Sequence, residues 1–164
     1  MAISSIEQND LAGIFIPKDA CIVIVRTEWN REIVDILQDG VENVLRSCNV
    51  KSIVVNVPGA VEIGFAIKKY WDQDEKSKPD AFIALGCVLR GDTPHFDYVC
   101  QSVTQAVTQL NLLLPVPVIF GVLTVDNQSQ ADDRTGGKHG NKGEEAAATA
   151  LKMISFSNLL KKES

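Results

Sequence analysis

Four apolar runs rich in β-branched residues punctuate this chain, and helical patterns fill the intervals between them. The runs are Cys21-Ile22-Val23-Ile24-Val25, Lys51 to Val57, Ala81 to Val88 and Val116 to Leu123. The first is apolar on successive residues rather than on alternate ones, the pattern of a strand covered on both faces. After Asn30, apolar side chains recur at Ile33, Ile36, Leu37, Val41, Val44 and Leu45; after the third run they recur at Phe96, Val99, Val103, Ala106, Leu110 and Leu113. Both series have helical spacing. Ala60 to Trp71 is helical in composition, and Asp126 is placed to cap a short helix over Asn127 to Arg134. A glycine-rich loop, Gly136 to Gly143, then precedes an Ala-rich helix from Glu144 to about Leu160. Strands alternating with helices require right-handed crossovers and a parallel sheet with helices on both faces.

The expected architecture is α/β: a three-layer αβα, flavodoxin-like domain with a four-stranded parallel sheet, spanning residues 1–164. A chain of 164 residues suits one domain that buries about 70% of its extended surface. Residues 1–20 lack clear periodicity and read as an N-terminal arm, in which Ala12 to Ile16 is apolar enough to pair with another chain, although Pro17 interrupts it. The net charge of −5, without a basic run, argues against a nucleic-acid partner. Cys21, Cys48, Cys87 and Cys100 lack CxxC or Cys/His ligand spacing, so free thiols in a reducing compartment are expected and no metal site is. No apolar run approaches membrane-spanning length and no secretory leader pattern opens the chain. The expectation is a protein of the cytoplasm, or of an organelle after loss of a transit peptide, with no membrane partner.

In open parallel sheets ligands sit beyond the C-terminal ends of the strands. The unusual residues collect there: Trp29 and Asn30, then Pro58 to Glu62, then Gly91 to His95, then Gly121 to Asp126, with Arg134 beyond. His95 opens a helical pattern directly after a Gly/Asp/Thr/Pro loop, where backbone N–H groups face an anion and the uncharged imidazole is favoured as a base. A histidine that merely packs at a helix start is the plainer alternative. His139, the other histidine, reads as a solvated loop residue. Arg134 suits a phosphate clamp, or equally an exposed arginine after two aspartates. Thr93 and the backbone of Asp92 suit a phosphate cradle. Trp29 offers a stacking face for a planar heterocycle or closes the end of the sheet, and Phe120 has the same two readings with the core favoured. Glu62 either complements a helix dipole or bonds hydroxyls of a polar substrate. Arg90-Gly91-Asp92 and the sequon Asn127-Gln128-Ser129 are coincidences in such a chain, and the glycine-rich loop fits neither nucleotide-binding fingerprint.

Five blocks, in order and in register, closely resemble the lumazine synthase family. They are Glu28-Trp29-Asn30; Val57 through Ile63; Ala84-Leu85-Gly86 through Asp97-Tyr98-Val99; Phe120 through Thr124; and Arg134 through Gly143, with the likeness running from about Cys21 to Leu160. The resemblance implies condensation of 5-amino-6-(D-ribitylamino)uracil with 3,4-dihydroxy-2-butanone 4-phosphate, giving 6,7-dimethyl-8-ribityllumazine, the penultimate step of riboflavin biosynthesis. Carried over by position, it implies that Trp29 stacks on the pyrimidine, that Ala60, Val61 and Glu62 line the ribityl side, and that Cys87, Val88 and Leu89 meet the ring. It further implies that Asp92, Thr93 and Arg134 hold phosphate, that His95 moves protons, that Phe120 closes the pocket and that Lys142 lies nearby. No cofactor is implied.

The resemblance also implies a homopentamer with sites between adjacent subunits, five-subunit rings that either stay free or build an icosahedral shell, and association with riboflavin or riboflavin synthase. The absence of an insertion between Arg134 and Asn141 favours the shell, while Pro17 in the arm opposes it. Trp29 and Pro94 depart from the commoner family pattern, which carries phenylalanine at the first position. The alternatives are a riboflavin- or lumazine-binding or shell protein with little catalysis, and a receiver-type signalling domain. The last would want clustered acidic residues after the first strand, where only Glu28 stands.

Overall fold

The computed structural model describes residues 11–73 and 78–162. The four β-branched runs form the strands β1 (Cys21–Thr27), β2 (Lys51–Val57), β3 (Ala81–Leu89) and β4 (Val118–Val125), all parallel and in the order β2-β1-β3-β4. Helices α1 (Arg31–Ser47), α2 (Ile63–Gln73), α3 (His95–Leu113) and α5 (Lys142–Lys162) provide the crossovers and the outer layers, with a short α4 (Gln128–Asp132) after β4. Because successive strand residues point to opposite faces, β1, β3 and β4 each feed two cores, whereas β2 is largely exposed and gives only Val57 and part of Val55 to one of them. Ile22, Ile24, Ile83 and Leu85 pack against α1 and α5, while Val23, Val25, Phe82 and Ala84 pack against α2 and α3. The architecture is the expected flavodoxin-like αβα sandwich.

Several boundaries move, each for a local reason. Pro115 and Pro117 delay β4 to Val118, whose backbone N–H and C=O are both met by the side-chain amide of Asn111 at 2.9 and 2.7 Å. The cap of α4 is Asn127, accepting from the Gln130 N–H at 3.0 Å, rather than Asp126. The expected helix from Ala60 begins instead as a 3-10 turn, Ala60–Glu62. The glycine-rich loop contains a small antiparallel hairpin, β5 (Thr135–Gly137) and β6 (Gly140–Asn141), and α5 starts at Lys142 because the Asn141 side chain accepts from the Gly143 N–H. Ile36 and Leu113 belong to the expected stripes but are exposed, and Val34 and Val107 take buried places beside them. Leu11, Ile14 and Ile16 pack on the α1–α5 layer, and the Phe15 N–H donates to Ser155 Oγ. The first ten residues of the expected arm, and 74–77 of the polar connection before β3, lie outside the described residues. All four cysteines are free, with Cys87 buried. Among the described residues no helix is long and apolar enough to cross a membrane, and no group of three or more His, Cys, Asp or Glu side chains is placed to hold a metal ion. One edge of the sheet is β2, with Ile53 and Val54 exposed; the other is β4.

Candidate active site: two clefts on one chain

A cleft of about 400 Å³ lies beyond the C-terminal ends of β1, β2 and β3. It gathers Trp29, Ala60, Val61, Glu62, Cys87, Val88, Leu89, Thr93 and His95. A second depression, about 590 Å³, runs along β4 and takes in Phe120, Arg134 and Lys142. No residue lines both. Asp92 lines neither cleft and sits exposed in the loop between Gly91 and Thr93.

Backbone pairing past the strand ends builds the first cleft. The N–H groups of Glu28 and Trp29 donate to the carbonyls of Val57 and Pro58, so β1 and β2 stay together as the chain turns. Asn30 takes that turn in the left-handed region, φ 55°, and its side-chain N–H donates to the Cys87 carbonyl at 2.8 Å, tying β1 to the end of β3. Asparagine is among the few residues that accept this backbone readily. Trp29 is 66% exposed, so its indole is not a plug for the sheet. Glu62 Oε2 accepts from the Gly59 N–H at 3.0 Å, which aims the carboxylate across the turn after β2.

The loop after β3 is fastened by Arg90. Its backbone N–H continues the ladder to Val125; its Nε donates to Asp126 at 2.7 Å, its Nη1 to Asp97 at 3.3 Å, and its guanidinium sits 4.0 Å from the Phe96 ring centroid. The hydrogen bond from Arg90 holds the Asp126 carboxyl below its usual range. His95 is the first residue of α3, after Pro94 at φ −62°, with its N–H 3.4 Å from Thr93 Oγ1. The start of this 19-residue helix therefore opens on the cleft, where its dipole favours an anion, and the exposed imidazole stands beside it. Burial pushes the Cys87 thiol up to about 11, so it meets any ligand as a neutral wall.

In the second cleft Arg134 and Lys142 are neighbours across the β5–β6 hairpin, the Lys142 N–H donating to the Arg134 carbonyl at 2.9 Å. Arg134 Nη1 donates to the Gln130 carbonyl at 2.8 Å, which sets the direction of its fork, and Lys142 pairs with Glu145 at 2.6 Å. Phe120 is 41% exposed on the edge strand, against the favoured core reading. Its strand is hydrogen-bonded to a neighbour on the β3 side only, a fact of sheet order that a strand's own composition does not carry. His139 sits in the hairpin turn, its N–H bonded to the Asp133 carbonyl, and lines neither cleft.

Sequence reasoning gathered Asn30 and Gly91 at the strand ends without giving either a role, and it left Thr27, Phe96 and Val99 out of the first cleft. The role of Asn30 was findable: an asparagine between a strand and a helical stripe, without an apolar role, is a candidate for a left-handed turn.

Fold and clefts together define a doubly wound α/β protein with ligand space at the C-terminal ends of parallel strands. A family model described as 6,7-dimethyl-8-ribityllumazine synthase matches residues 19–158. Curated proteins of that name are similar along nearly the whole chain. One from Parabacteroides distasonis is 46% identical over 95% of this chain and 98% of its own length. Another from Porphyromonas gingivalis is 47% identical over 96% and 98%. A third, from Bacteroides fragilis, is 48% identical over 81% and 93%. The chain belongs to the 6,7-dimethyl-8-ribityllumazine synthase family.

Proposed function

We propose that this chain is a transferase of riboflavin biosynthesis, condensing 5-amino-6-(D-ribitylamino)uracil with 3,4-dihydroxy-2-butanone 4-phosphate to 6,7-dimethyl-8-ribityllumazine with release of phosphate and water. The observation that carries the reading is the family match over residues 19–158, which takes in every residue of both clefts.

The chemistry asks for orientation and proton movement. The pyrimidine amine attacks the ketone, and water leaves to give an imine. Loss of a proton from the hydroxyl-bearing carbon expels phosphate, and the resulting enol becomes a carbonyl that the ribitylamino nitrogen closes upon, losing water. His95, at the helix start beside Thr93, is suited to carry these protons. Trp29 presents an exposed ring face for the pyrimidine, Glu62 an aimed carboxylate for ribityl hydroxyls, and Cys87, Val88 and Leu89 a strand end for the ring. Arg134, with the backbone of Asp92 and Thr93, is the phosphate clamp, and Phe120 the cover. Much of the acceleration is then positional.

Arg134, Lys142 and Phe120 line a different cleft from His95 in the same chain, which supports a site completed by a second copy. A head-to-tail contact of this kind builds a ring when its rotation closes. The proposed assembly is a homopentamer, with the short Arg134-to-Asn141 hairpin favouring an icosahedral shell of pentamers in the cytoplasm. The test is formation of the lumazine chromophore from both substrates against a blank without protein. Turnover above the blank, lost when either substrate is omitted, is expected; a rate equal to the blank from folded, assembled protein leaves a binding or shell protein.

A further inference from the structure

We infer that Gly59 is a positioning residue of the first cleft, setting both the tilt of the Trp29 platform and the aim of the Glu62 carboxylate. The inference rests on the reading that these two side chains receive the pyrimidine and its polyol. A Cβ placed on Gly59 would lie 2.8 Å from both Cε3 and Cζ3 of Trp29 and 3.2 Å from Glu62 Oε2. Carbon atoms do not approach within 3 Å, so the indole lies where it does because Gly59 has no side chain. Backbone geometry gives no other reason for glycine here: φ −144° and ψ −178° is extended chain that any residue adopts.

The same residue holds Glu62 from two sides. Its N–H donates to Glu62 Oε2 at 3.0 Å, and its carbonyl accepts from the Glu62 N–H at 3.3 Å. The buried turn thus carries a ring on one side and a carboxylate on the other, both exposed to the cleft. The indole is free to yield outward, so a methyl group at position 59 acts on the orientation of the platform rather than on the fold. A larger residue at 59 requires a smaller ring at 29, which makes the pair a joint determinant of which heterocycle the cleft accepts.

The experiment is a double-mutant cycle with Gly59→Ala, Trp29→Phe and both together, read by steady-state kinetics and by indole emission of the unliganded proteins. Gly59→Ala is expected to fold, to shift the emission contributed by Trp29, and to raise KM for the pyrimidine about tenfold, the scale of one misplaced aromatic contact. KM for the phosphorylated ketone should stay within about twofold. With phenylalanine at 29 there is no fused ring to displace, and adding Gly59→Ala should then change the pyrimidine KM little. Equal cost of Gly59→Ala in both backgrounds overturns the proposal, as does an unfolded Gly59→Ala or a parallel rise in both KM values. The unliganded emission keeps the two readings apart. If the native protein makes no lumazine while Gly59→Ala still shifts the indole emission, the catalytic reading fails and the packing of Gly59 on Trp29 stands. If turnover is normal and the emission does not shift, the role of Gly59 fails alone.

Discussion

Mixing two crippled variants should restore activity, in an amount set by how the clefts are distributed between chains. His95→Ala damages the cleft at the ends of β1 to β3, and Arg134→Ala damages the one along β4. Suppose each site is made from the first cleft of one copy and the second cleft of its neighbour. A site in a mixed ring is then intact when the first copy carries Arg134→Ala and the neighbour carries His95→Ala. With equal amounts and random assembly each condition holds half the time, so about a quarter of the sites are native, half carry one lesion and a quarter carry both. With the phosphorylated ketone held well below its KM, His95→Ala alone should retain about one-hundredth of native activity and Arg134→Ala about a tenth to a hundredth. The exchanged mixture should therefore approach about a quarter of the native rate, some twenty-five-fold above His95→Ala and well above Arg134→Ala. The assay is lumazine formation after subunits are dissociated in mild denaturant and reassembled, with differently tagged chains co-purified to prove exchange. If both residues serve a site within one chain, no arrangement rescues any site. A mixture with proven exchange and a rate no higher than the mean of the parents would refute the divided site.

Three further outcomes are expected. His95→Ala should lower kcat about a hundredfold, whereas His139→Ala, outside both clefts, should change it less than about twofold; equal losses would remove the proton-transfer role. Arg134→Ala should raise KM for the phosphorylated ketone by about ten- to a hundredfold, the scale of a charge-assisted hydrogen bond to phosphate, and an unchanged KM would count against the clamp. Cys87 ionises near 9.0 when unfolded and about 11 when folded, so above pH 9 the unfolded chain sheds a proton that the folded chain keeps. Stability should fall as pH rises through that window and be unaffected below it. Cys87→Ala should flatten part of the fall in urea midpoints between pH 8 and 10.5, and an unaltered slope would show that the thiol is not responsible.

Composition and spacing carried the layers of this protein well. Lys51 to Val57 was legible to the residue, because a β-branched run meets Pro58 and Gly59 at its end. The convergence of Trp29, Glu62 and His95 at strand ends was legible for the same reason, since parallel strands bring their C-termini to one side. Features set by neighbours were not. Ile36 and Leu113 fit the helical stripes, yet whether a position is covered depends on what lies opposite it, and these are exposed. The capping duty moved from Asp126 to Asn127 because Arg90, distant in sequence, takes the aspartate. Spacing alone gathers Arg134 and Phe120 at the same strand ends as His95, and it was the family resemblance that implied a neighbouring subunit as their source; in this chain they line a different cleft from His95, along the edge strand β4.

The other edge bears on what else the sheet can join. Among the described residues no strand pairs with the outer side of β2, which carries Ile53 and Val54 into solvent without an internal proline or a bulge to blunt it. Such an edge is a template for any extended strand. A second extended segment, from this chain or another, could therefore continue the sheet past β2, hiding Ile53 and Val54 without any change to the two cores.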